Sequence, residues 1–453
     1  MTDRSGLHDE VIEVARDLIR LDTTNAREPG LGNETLCAEY LAGYLRGAGV
    51  EVELVAREPH RANVVGRIPG AGGFETVAER PPQPPESLAF VGHTDVVPCD
   101  PRDWTHPPFE GVVDDDGWLW GRGAVDMKNE VAARAVAMAE LARHGFRPRG
   151  DLWFIAVADE EDGFADVGMR WLLEERPDIR PTHSVNEGGG ERMPLSDGRE
   201  VVCYSIGEKG TLPVQVTAVG EAGHASVPTL GRNAVPLLAR LLPRLGDGLP
   251  EPTSAPEATA MLRALLGRDE PDLAAALAEA EGLYDGLGET IRSLMGSTLA
   301  PTMLWGSNKR NVMPARATAE VDIRIVPGTT HADVEERVRS LLGDDIPYEL
   351  TWPEAMVEAS SSPADGVVPT AIAAFLEAEG DSATLLPTLC TGFTDSNYLR
   401  AAGGTHAYGF SPFRATPNHV LEAGYHNANE RVHVDDLLLS TRFHIDLARR
   451  VLG

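Results

Sequence analysis

The chain has 453 residues, with 40 Lys and Arg against 70 Asp and Glu, and a formal net charge of −30. That length exceeds what one ordinary core organises, so two domains are expected. Apolar residues at 42% and charged residues at 24% exclude a disordered chain. The acidic excess excludes nucleic acid or an anionic membrane as a main partner, because both repel such a field.

The first segment, through Asn25, is charged and helix-patterned, with Val11, Ile12, Ala15, Leu18 and Ile19 on one face. It has no apolar signal core, and no later run approaches the ~18 apolar residues of a membrane-spanning helix. Cys37, Cys99, Cys203 and Cys390 lie far apart with no C-x-x-C, which suits reduced thiols and a cytoplasmic location. Lys128, Lys209 and Lys309 are the three lysines, so candidates for Schiff-base chemistry are few.

Asn33 is expected to cap a second helix that Gly47 and Gly49 stop. Strand-like runs follow at VEVELVA, NVVGRI, LAFVG, LWFIAVA and THSVN, with a long helix from Met127 to about His144 among them. Continuous apolar strands separated by helices indicate an α/β sheet covered on both faces. The Pro/Gly-rich stretch 69–87 reads as a surface loop. Near residue 206 the pattern changes to strict alternation, in GTLPVQVTAVG and ATAEVDIRIV, with a helix over about 331–342 and a strand at YELTW. Alternation implies a sheet with one wet face, hence an inserted α+β domain. Its Ala-rich middle, from Leu249 to about Gly296, reads as a hairpin or pair of helices. Beyond residue 352 the first pattern returns and ends in a helix beginning near Asp435. The expected layout is a discontinuous α/β domain (1–205 and 357–453) interrupted by a second domain (206–356).

Acidic residues and a histidine stand at the ends of the apolar strands. LAFVG runs into His93-Thr94-Asp95, LWFIAVAD into Glu160-Glu161, and THSVN into Glu187-Gly188-Gly189-Gly190, while Asp126 precedes the long helix. Ligands bind outside the carboxyl ends of strands in open α/β sheets, so these groups converge on one rim. Crowded carboxylates repel unless a cation compensates them, and His with carboxylate suits zinc, with cobalt or manganese as the other candidates. Tyr425-His426-Asn427-Ala428-Asn429-Glu430 brings a second histidine back to this domain, and Gly223-His224-Ala225-Ser226 follows the first alternating strand. Taken singly, each has a plain alternative: a packed histidine, a solvated acidic face, a helix cap at Asp126, a turn at His224, a surface ion pair at Arg324.

GHTDVVP, GRGAVDMKN, the Glu160-Glu161 pair, NEGGG, GHAS, NVMPARATAEVDIRIVPG, TGFTDSNYLR and HNANE occur in that order over nearly the whole chain. Together they resemble the dinuclear-zinc metallohydrolase family of aminoacylases, glutamate carboxypeptidases, acetylornithine deacetylases, succinyl-diaminopimelate desuccinylases and carnosinases. YGFSPF and the long insert resemble its carboxypeptidase-S-like branch. The resemblance implies a mixed-sheet α/β/α catalytic domain with an inserted α+β, ferredoxin-like lid or dimerisation domain, and a homodimer. It implies two Zn2+ per subunit bridged by Asp126, with His93 and Glu187 completing one position and Glu161 and His426 the other. Glu160 is then the general base, Asp95 orients His93, and a metal-bridging water is the nucleophile. His224 would stabilise the carbonyl oxygen, reaching it by domain closure or from a partner subunit. Arg324 and Asn311 would hold a substrate carboxylate, and Thr391 and Gly392 would supply backbone contacts. The implied activity is hydrolysis of an amide bond in a small peptide or an N-acyl amino acid. The competing reading is a silent member that binds metal or a small amide as a regulator. One departure is Asn129, which stands where the family usually has Gly after Asp-Met-Lys. Serine-hydrolase and nucleotide-binding readings fail for want of G-x-S-x-G, P-loop and G-x-G-x-x-G motifs.

Overall fold

The computed structural model describes residues 4–25, 33–71, 86–163, 165–246, 248–390 and 392–453. Most of the 69–87 stretch, and Thr391, lie outside the described residues. The chain forms two compact units: Met1–Ile206 with Ser362–Pro387 and Thr394–Gly453, and Gly207–Ser361 with Thr388–Phe393. No helix among the described residues is long and apolar enough to cross a membrane.

The first unit is built on a mixed sheet. Its strands lie in the order Glu51–Ala56, Ala62–Ile68, Leu152–Val157, Leu88–His93, His183–Asn186, His406–Gly409 and Glu200–Glu208. Leu88–His93 runs parallel to both Leu152–Val157 and His183–Asn186, and His183–Asn186 runs parallel to His406–Gly409. The register sets His93 opposite Val157 and Asn186 opposite Gly409, so four strand ends face one rim. Leu88–His93 and Leu152–Val157 are buried along their whole length, as strands covered on both faces must be. On one face Val91, Ile155 and Val157 pack with Met169, Leu172, Leu173 and Leu399. The helices Lys128–Arg143, Val434–Leu452 and Arg4–Arg20 pack together, the first two also touching the sheet.

Helix Lys128–Arg143 is buried from Lys128 to Leu141, and therefore carries its polar residues inward. They are satisfied there. Lys128 Nζ donates to the carbonyls of Leu18 (3.0 Å) and Leu21 (2.7 Å), closing the end of the first helix. Arg134 donates to Glu130 (2.5 Å), to the Val91 carbonyl (2.6 Å) and to His444 Nε2 (3.1 Å). The second helix begins at Thr35, and its N-cap is Glu34 rather than the expected Asn33. Glu34 turns inward to an ion pair with Arg61 (2.6 Å) instead of capping, so burial outweighs the local capping preference of Asn33.

The second unit is an antiparallel sheet in the order Gly210–Thr211, Arg316–Ile325, Val214–Val219 and Tyr348–Thr351, with Thr298–Trp305 also paired to Arg316–Ile325. Strand Arg316–Ile325 alternates without exception: Ala317, Ala319, Val321, Ile323 and Ile325 are buried, and the residues between them are not. Leu212, Val214, Val216 and Ala218 join the same core, with Leu237, Leu241, Val334 and Val338 from the helices Ala234–Leu241 and His331–Leu342. The opposite face is polar, with Gln215 donating to Glu320 (3.0 Å) and Thr217 bonded to Thr318 (2.9 Å). The Ala-rich stretch forms three helices, Pro256–Leu266, Leu273–Leu283 and Leu287–Ser293, not two. Gly267, left-handed at φ 70°, ends the first of them, and Gly286 at φ 77° separates the others.

Candidate metal centre

His93 closes its strand fully buried. Its Nδ1 faces the carbonyl oxygen of Asp95 (3.0 Å) and one Asp95 carboxylate oxygen (3.4 Å), which turns Nε2 toward the rim. There Nε2 meets Asp126 Oδ1 at 3.1 Å, Glu187 Oε2 at 3.7 Å and Glu160 Oε2 at 3.9 Å. The other oxygen of Asp126 lies 3.2 Å from Nε2 of His426, which also meets Glu161 Oε2 at 3.0 Å. One carboxylate thus presents a separate oxygen to each of two imidazoles. His93, Asp126 and Glu161 bring ligand atoms within 4.8 Å of one another, and so do His93, Glu160 and Glu187. Asp126 does not cap the helix that follows it, since Met127 occupies the N-cap position.

The electrostatics are those of a site crowded with negative charge. Burial, then the neighbouring Glu187, pushes the Glu160 carboxyl well above its ordinary range. Burial raises Glu187 as well, and pushes Glu161 up to about 7 against the hydrogen bond from His426. Hydrogen bonds to Asp126 and Glu161 push the His426 imidazole up to about 10. Burial opposes the charged form of His93, but Glu187 and the bonds to Asp126 and Asp95 outweigh it and hold the imidazole well above its ordinary value. Burial likewise disfavours ionised Asp126, yet the two histidines hold it low. Glu161 Oε1 is buried and has no hydrogen-bond partner. An orphaned carboxylate oxygen in a ring of His and carboxylate is a donor set that fits divalent cations.

Asp95 does more than orient His93. Its two oxygens accept the backbone N–H groups of Glu160 (3.2 Å) and Glu161 (3.1 Å), fixing the turn that carries both. Asn25 Nδ2 donates to Asp95 (2.9 Å) and to Asp159 (3.1 Å), and Asp159 also accepts from Arg61 (3.2 Å). Asp159 is left-handed at φ 62° between the strand and Glu160. Sequence reasoning missed Asn25, Arg61 and Asp159, because their partners are remote in the chain.

The remaining expected residues fall in the second unit. His224 is exposed on the short strand Gly223–His224, paired with Val312–Met313, and its Nδ1 bonds to Ser226 Oγ (2.7 Å). Asn311 is beside it, its carbonyl accepting the Ala225 N–H (3.1 Å). Arg324 donates through Nε to both oxygens of Asp322 (3.1 Å each) on the outward face of its strand. Gly392 belongs to the segment Thr388–Phe393 of the same unit.

Fold and site describe an α/β protein with a candidate divalent-metal centre at its strand ends. Residues 89–450 match the model of peptidase family M20/M25/M40, and the chain belongs to that family. Among its relatives, succinyl-diaminopimelate desuccinylase of Paracoccus denitrificans is 29% identical over 430 residues, 91% of each chain. A probable carboxypeptidase S-like protein of Dictyostelium discoideum is 28% identical over 287 residues, 57% of this chain and 51% of that one. An M20 family metallo-carboxypeptidase from Sulfolobus solfataricus shares the fold with a TM-score of 0.68 at 19% identity, covering 98% of this chain and 99% of that one. The chain is therefore a hydrolase acting on amide bonds.

Proposed function

We propose that this chain is a dinuclear metal-dependent amidohydrolase that cleaves a small peptide or an N-acyl amino acid bearing a free carboxylate. The observation that carries the reading is the Asp126 carboxylate, with one oxygen 3.1 Å from His93 and the other 3.2 Å from His426. Asp126 would be shared by two cations, with His93 and Glu187 at one position and Glu161 and His426 at the other. Zinc suits the donor set best, with cobalt or manganese as alternatives. When bound, two such cations polarise the scissile carbonyl and lower the pKa of water toward ~7.

Glu160 is the base in this reading. It borders a ligand without being needed as one, so its carboxylate can take the proton of the attacking water and return it to the leaving amine. Asp95 positions it through the Glu160 N–H and holds His93 in the tautomer that leaves Nε2 for the metal. His224, with Nδ1 engaged by Ser226, would offer Nε2 to the developing oxyanion on domain closure or from a partner subunit. Arg324 and Asn311 would receive the substrate carboxylate, Arg324 because a guanidinium matches carboxylate geometry, and Thr391 and Gly392 would supply backbone contacts. A cytoplasmic homodimer joined through the second unit completes the proposal. Its support is the edge strand Thr298–Trp305, on which Met303, Leu304 and Trp305 are exposed.

The test is metal analysis of the purified chain together with a hydrolysis panel of dipeptides, N-succinyl and other N-acyl amino acids. Two equivalents of metal and chelator-sensitive hydrolysis are expected. Two bound metals with no turnover on any amide would instead make this a silent, metal-binding member.

A further inference from the structure

Asp126 and His426 sit on loops far apart in sequence, and one side chain joins those loops. Glu430 is fully buried, four positions after His426. Its Oε1 accepts the backbone N–H groups of Val125 (2.6 Å) and Asp126 (2.9 Å). Its Oε2 accepts the N–H of Gly123 (3.0 Å) and Nη1 of Arg122 (2.7 Å). The Glu430 carbonyl takes the N–H of Gly121 (3.1 Å), and Arg431–His433 then pairs antiparallel with Trp118–Trp120. The loop that ends in Asp126 is therefore gripped along its length by the residue that ends the His426 loop. On the His426 side, His426 and Asn429 are left-handed at φ 56° and φ 64°, and Asn429 Oδ1 accepts the Thr105 N–H (2.7 Å).

We propose that Glu430 is a positioning residue that locks Asp126 and His426 into one geometry and thereby sets the affinity for the second divalent cation. The inference rests on the metal-dependent reading of the site. Four donors converge on two carboxylate oxygens, a demand that a carboxylate meets and an amide cannot, because the Gln NH2 would face N–H groups. Partners of this kind outside the ligand set govern metal affinity by about 10- to 100-fold. The competing role is that of a plain buried ion pair with Arg122, whose guanidinium also stacks over Trp104 at 5.3 Å.

Metal-free wild type, Glu430→Gln, Glu430→Asp and Arg122→Met proteins are titrated with Co2+, with visible absorption reporting each equivalent and Tm reporting the fold. Wild type is read first: fewer than two equivalents of Co2+ would end the metal reading itself, whatever the variants do. With two bound, Glu430→Gln is expected to lose about 10- to 100-fold in affinity for the second equivalent and to lower kcat with little change in KM. Arg122→Met keeps the three backbone bonds and is expected to retain near-wild-type affinity. Equal metal loss in Glu430→Gln and Arg122→Met would overturn the proposal in favour of the ion pair, as would wild-type Co2+ binding in Glu430→Gln. Should Glu430→Gln fail to fold, Glu430→Asp decides: its withdrawn carboxylate is expected to weaken the second equivalent, and unchanged affinity overturns the inference.

Discussion

The two units hold their chemistry-bearing residues in opposite ways. In the first, His93, Asp95 and Asp126 are buried or nearly so and each is held by several partners, with His426 exposed at the edge of the cluster. In the second, His224 is exposed and Arg324 leans on Asp322, both free to re-pair at little cost. Under the proposed function, preorganisation is concentrated where charge must be managed in a buried rim. Recognition would fall to side chains that water still reaches, where a substrate carboxylate would displace a weak neighbour.

Substitutions can break that contrast. The largest effect is expected for Glu160→Gln: kcat should fall about 100- to 10,000-fold with metal content intact, and a near-normal rate would remove Glu160 from the mechanism. His224→Ala should cost about 100- to 1,000-fold in kcat while Tm and bound metal stay at wild-type values. Loss of metal in that variant would erase the division between the units. Arg324→Met should raise KM for substrates with a free carboxylate by about 10- to 100-fold, the worth of ~1.5–3 kcal/mol charge-assisted bonds. The corresponding amides should show no such change.

The smallest effect concerns Lys209, a buried cation of the second unit that donates to the Ser293 carbonyl (2.7 Å). Burial, then the charges of Arg324 and Arg337, pulls its pKa down to about 8 from 10.5. Between those values the unfolded chain holds a proton that the folded chain has released, so this residue makes stability rise with pH across that window. Lys209→Met should flatten that rise in Tm. An unchanged profile would show that Lys209 is as solvated as the exposed residues around His224.

Much of this contrast was legible in the chain. The strand runs ending in His93, Glu160 and Glu187 placed the acidic rim, because a covered parallel sheet leaves only its strand ends for ligands. The alternation of Leu212, Val214, Val216 and Ala218 foretold a core that buries all four completely. Local rules failed where burial overrode them: Asn33 does not cap its helix, and Asp126 turns to two histidines instead of capping the next one. Glu430 lay inside a motif already singled out, yet nothing local distinguishes it from a solvated acid.

What the sequence by itself determined was periodicity and inventory: which segments bury one face or two, and which residue types stand at their ends. Those follow from side-chain chemistry and backbone period alone. The family resemblance already paired Asp126 with His93 and His426; only the tertiary structure decided that Asp95 grips the Glu160–Glu161 turn and that Glu430 binds two remote loops together. Each of these is a hydrogen-bonding demand met by residues far apart in the chain, and such demands are matched only when packing brings donors and acceptors together.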